Sequence, residues 1–195
     1  MRKATKLTRR RFIQIAATAA AAGPAISCRQ ATSPWRFLTV KEAQTLGSIC
    51  GQIVPSDQDP GAKEAGVVNY IDRQLLGYLK RHQKAYREGL AGIDQTSLAL
   101  AGREFTELPL DQQLDVLKAL ERNEAPGRVW KKRSAKAFFD LVVNHTMQGF
   151  YGDPRHGGNR DGVSWRMLGL PYPPIRGRQQ YDLTSSPAPK VKSAP

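Results

Sequence analysis

Between Val40 and Val142 the apolar residues of this chain recur at helical spacing, and no alternating stretch long enough to make a strand interrupts them. Val40, Ala43, Leu46, Ile49, Cys50 and Ile53 make one stripe, opened by Thr39 and Glu42 in a capping-box pattern and stopped by Pro55. Val67, Tyr70, Ile71, Leu75, Tyr78 and Leu79 make a second, in a helix predicted from about Lys63. Residues 82–101 carry Tyr86, Leu90, Ile93 and Leu98 inward, with Gly89 and Gly92 blurring the register. Phe105 begins a turn that ends at Pro109. Leu110 to Leu120 form a shorter helix expected to bury Leu114, Leu117 and Leu120, with Asp111 in the first turn, where the helix dipole favours a carboxylate. Ser134 caps a last helix through Phe138, Leu141, Val142 and His145 to Gln148. The expected fold is all-α: a compact, irregular helical domain of about five helices with a long ordered C-terminal loop region.

The two ends have other compositions. Thr8-Arg9-Arg10-Arg11-Phe12-Ile13-Gln14 precedes an alanine-rich stretch and reads as a twin-arginine export signal, with Arg9, Arg10 and Phe12 as its recognition residues. The apolar run Phe12 to Ala22 is shorter than the roughly 20 residues a permanent span needs. Ala25-Ile26-Ser27-Cys28 resembles a lipobox in which Cys28 becomes acylated, though Ala25 stands where leucine is usual. The expected division is a signal peptide at 1–28, a connector at 29–37 whose Trp35 and Phe37 pack onto the domain, a helical domain at 38–181, and a disordered Ser/Pro/Lys tail at 182–195. The implied destination is the periplasm, reached through the twin-arginine translocase, with lipid anchoring or inner-membrane association through Cys28.

The formal charge is +13, and six of those charges fall in the leader; from Arg29 onward 24 Lys and Arg face 17 Asp and Glu. That is a basic globular domain without the clustered stripe of a nucleic-acid binder, so no nucleic acid is expected as a partner. The basic run Arg128, Lys131, Lys132, Arg133 and Lys136 reads as a solvated face or one that meets an acidic partner. There are two cysteines, Cys28 and Cys50, too few for a disulfide framework, an iron–sulfur site or a Cys-rich zinc site. Asp57 to Gly61 lacks the closing glutamate of a calcium loop and reads as a turn.

Residues 150–165 are the least generic stretch. Gly157-Gly158-Asn159 lets the chain fold back tightly; Asp153 and Asp161 can accept main-chain N–H groups; Arg155 or Arg160 can fork onto a carboxylate; Trp165, Met167, Leu168 and Leu170 offer an apolar anchor. With this segment the chain resembles the gluconate 2-dehydrogenase subunit 3 family. The likeness runs through Leu38 to Leu46, Ile53-Val54-Pro55 with Asp57 to Gly61, Ala62 to Val67, Tyr70-Ile71-Asp72, and Gly149 to Asn159 with Trp165 to Gly169. His156 stands where an aromatic such as tyrosine is more usual.

The resemblance implies an accessory subunit and not an enzyme. No catalytic, cofactor-binding or metal residue is expected in this chain. An FAD-dependent large subunit of the glucose-methanol-choline type oxidises a sugar or alcohol, and a multihaem cytochrome c carries electrons onward. The small subunit assists maturation of the flavoprotein and supplies the leader for both. The candidate partner interface is Asp153, Pro154, Arg155, His156, Gly157, Gly158, Asn159 and Trp165. Two rivals stand beside it. One is a stand-alone periplasmic enzyme or metal-binding domain using His145 and His156 with Asp153 and Asp161. The other is a lipid-anchored scaffold that docks the dehydrogenase to the membrane. On the bland reading His145 is a core histidine satisfied by a backbone carbonyl, and His156 braces the loop.

Overall fold

The computed structural model describes residues 33–170; Arg9, Arg10, Phe12 and Cys28, the connector before Ser33 and the tail after Leu170 lie outside the described residues. Six α-helices and five short 3-10 turns make up the domain, with no strand among the described residues. They are α1 (Val40–Ile53), α2 (Val67–Leu75), α3 (Gln83–Ala101), α4 (Leu110–Glu121), α5 (Ala135–Tyr151) and α6 (Val163–Met167). None of them is long and apolar enough to cross a membrane.

Helix α5 sits at the centre and packs against α1, α2, α3 and α4. Its Phe138, Val142 and Phe150 are buried, and each such side chain stabilises the fold by about 1.5–3 kcal/mol. The predicted caps form at both helices that have them. Thr39 Oγ1 accepts the Glu42 N–H (3.2 Å) while Glu42 Oε2 accepts that of Thr39 (2.8 Å); Ser134 Oγ accepts the Ala137 N–H (3.1 Å). Arg87 reaches from α3 to pair with Glu42 and stacks over the Phe37 ring at 4.2 Å, tying the start of α1 to the N-terminal part of α3.

Four expectations need correction. Helix α2 starts at Val67 and not near Lys63, because Gly66 takes a left-handed conformation (φ +69°) that a continuing helix excludes. The same helix stops at Leu75, which leaves Tyr78 74% exposed. Leu98 and Leu114 also face outward, Leu114 at 40% exposure, and Val116 fills the place expected of it. Leu168 and Leu170 are exposed, so at the end of the loop region, which itself contains α6, Met167 packs against the core and Trp165 is half-buried. Gly89 and Gly92 turn out to be spacing devices: a Cβ at Gly89 would collide with the ring of Phe138 and one at Gly92 with that of Trp130.

Candidate functional site

The segment 152–167 folds back over the C-terminal end of α5 and the outer side of α2, and main-chain atoms do most of the holding. The Asn159 N–H donates to Gly149 O (2.8 Å) and the Arg160 N–H to Ala65 O (3.0 Å). From α2, Asn69 Nδ2 donates to Gly157 O (2.6 Å) and Gln74 Nε2 to His156 O (3.2 Å). Asn159, fully buried and left-handed (φ +40°), brackets the fold-back: its Nδ2 donates to Gly152 O (2.9 Å) and its Oδ1 accepts the Ser164 N–H (2.9 Å). Gly158 passes so close to Gly149 O that a Cβ there would overlap the oxygen. Trp165 is half-buried and donates its indole N–H to Tyr151 O (2.9 Å).

The outward side of this frame carries the remaining candidates. Asp153 caps the turn Pro154–His156 by accepting the Arg155 N–H (3.0 Å). The Arg155 guanidinium then places both Nε (3.0 Å) and Nη2 (2.8 Å) on the other carboxylate oxygen, Oδ2. Those side-chain hydrogen bonds, with the Arg155 N–H, push Asp153 down to about 2. Arg155 and His156 are exposed, and Asp161 is exposed with φ +55°. The fork onto a carboxylate is therefore made by Arg155; Arg160 instead lays its guanidinium over Gly66.

The structure does not bring His145 and His156 together. His145 is 4% exposed inside the core, where its Nδ1 shares a hydrogen bond with the Tyr86 hydroxyl (2.9 Å) and its ring stacks on Tyr86. A side-chain hydroxyl thus satisfies it, not the backbone carbonyl expected from sequence. No group of three or more His, Cys, Asp or Glu among the described residues is placed to hold a metal. Cys50 is buried against Thr146 Oγ1 (3.2 Å), and desolvation pushes its thiol up to about 12, which keeps it unreactive near neutral pH.

Burial, followed by the nearby His82 and Arg81, lowers the His145 pKa from 6.5 to about 4. Between those two values the unfolded chain binds the proton and the folded chain does not. The contribution of a neutral His145 is therefore complete above 6.5 and is lost as pH falls toward 4. Urea unfolding at about pH 7 and about pH 4.5 is expected to differ by roughly 2–3 kcal/mol more in the unaltered chain than in His145→Gln. Equal pH slopes for the two proteins would refute this origin.

Two features had no counterpart in the sequence reading. Asp72, 1% exposed on α2, accepts three consecutive main-chain N–H groups: Arg36 on Oδ2 (2.8 Å), Phe37 and Leu38 on Oδ1 (2.9 and 2.8 Å). An acidic residue between the buried Ile71 and Leu75 was the available signal. The second is a groove of about 670 Å³ between the connector, α1, the start of α2 and the signature loop, with Trp35, Lys63 and Arg160 on its walls. Of the candidate residues, the ordered frame of Gly157, Gly158 and Asn159 lies beside this groove through Arg160.

The family model for gluconate 2-dehydrogenase subunit 3 matches residues 40–171, which takes in all six helices and the signature loop. No curated protein and no solved structure matches the chain.

Proposed function

Because the chain belongs to the gluconate 2-dehydrogenase subunit 3 family, and so is a subunit of a dehydrogenase complex, we propose that it is the non-catalytic small subunit that binds, matures and exports an FAD-dependent large subunit. The observation that carries this reading is the extent of the family match, which takes in all six described helices. The separation of His145 from His156 supports it too, since an acid–base or metal site would need them convergent. Binding to the folded flavoprotein stabilises that partner by mass action, and one twin-arginine leader serves both chains. FAD resides in the partner, which is of the glucose-methanol-choline type; a multihaem cytochrome c is the further partner, and the complex works in the periplasm, tethered at the inner membrane through Cys28.

Arg9→Lys/Arg10→Lys is expected to leave both this chain and the flavoprotein in the cytoplasm, as fractionation and flavin absorbance would record. A flavoprotein that still reaches the periplasm would remove the carrier role. In the same fractionation, Cys28→Ala is expected to move the complex from the membrane to the soluble fraction; unchanged membrane association would remove the tether.

A further inference from the structure

The groove beside the signature loop is built from five separate stretches of chain, so it exists only once the domain has folded. Its walls carry two cations, Lys63 and Arg160, and no carboxylate. Both cations are exposed, and neither has an acidic partner within ion-pair distance among the described residues. Gln44, Ser48 and Thr106 line it with side chains that make no hydrogen bond among the described residues, and Trp35 adds a half-buried aromatic face. Lining surface is mostly apolar, and the volume of about 670 Å³ lies within the range of true binding cavities.

From this arrangement we infer that the groove is the docking site for an extended segment of the flavoprotein partner, one that sets a carboxylate between Lys63 and Arg160 and an apolar side chain beside Trp35. The inference rests on the subunit reading above. Charge selects the occupant: two wall cations that form no ion pair among the described residues, Lys63 feeling only the neighbouring Glu64 through space, favour a ligand of opposite sign. Shape permits an extended segment, since the groove is neither an enclosed cavity nor a flat surface. An aromatic and an arginine flanking a small-residue floor are also the residue types that anchor protein interfaces. The chain's own residues 171–195 fit poorly, carrying Arg176, Arg178, Lys190 and Lys192 against Asp182 alone.

The test uses the tagged full-length chain purified from its own cells with flavin absorbance as readout. A photo-crosslinking benzoylphenylalanine is placed at Ser48 or Thr106, and at Tyr78 as a control outside the groove. The expected result is an adduct with the flavin-containing chain from the two groove positions and none from Tyr78. Lys63→Glu/Arg160→Glu is expected to lower flavoprotein retention about tenfold or more, with Lys63→Arg/Arg160→Lys retaining it. Adducts confined to residues 171–195, or full retention by the charge-reversed chain, would overturn the docking site and leave the subunit reading standing. An unaltered chain that brings down no flavoprotein would overturn both.

Discussion

Asp72→Ala is expected to destabilise the domain by about 3–5 kcal/mol, measured as a lower urea midpoint with an unchanged slope. One buried carboxylate accepts the N–H groups of Arg36, Phe37 and Leu38, and alanine leaves all three without that acceptor. The amide of Leu38 is buried and has no route to water, so it bears the full desolvation cost; those of Arg36 and Phe37 can rehydrate only by lifting the connector. Asp72→Asn keeps one oxygen and should lose about half as much. The local consequence is as informative as the midpoint. Residues 33–38 should become the first site of proteolysis, because the stretch is then held only by the packing of Trp35, Phe37 and Leu38 on the core and by the Arg87 contacts to Phe37. A midpoint within about 1 kcal/mol of the unaltered chain would mean that the three amides find other acceptors.

Gly158→Ala is the second large effect, at about 3 kcal/mol. The new methyl would meet a backbone oxygen, which cannot swing aside as a long side chain would. That oxygen, of Gly149, also accepts the Asn159 N–H, so relief of the overlap breaks the bond that closes the fold-back. Trp165, tied to Tyr151 O across the same fold-back, should report the change as a red-shifted fluorescence, and cleavage should appear within 152–165. An alanine variant with native fluorescence and native midpoint would show that the frame tolerates the approach.

The helices were legible in the sequence because their period is a local property: Thr39 with Glu42 marked one start, Ser134 another, and Pro55 a stop. Where the reading failed, the deciding term was not local. The backbone angle of Gly66, which delays α2, is fixed by the turn before it and the Arg160 guanidinium above it. Leu114 and Val116 both suit a helix face, and only the position of α5 decides which is buried. Gly89 and Gly92 looked like weak points of α3 because the rings that need their space, Phe138 and Trp130, lie far along the chain, beyond the next helix. The signature segment was recognisable as an ordered polar loop, yet its partners on α2, Asn69 and Gln74, and the acceptor role of Asp72 depend on contacts that no spacing rule reveals.

The fold-back is fastened at main-chain carbonyls, which every residue type possesses, those of Gly149, Ala65, His156 and Gly157. Arg155 and His156 point away from that fastening, and an exposed pair such as Arg155 with Asp153 contributes little to stability. Shape and display are thereby inherited separately. A substitution at 155 or 156 changes what the loop presents to another protein, while the contour that presents it stays intact.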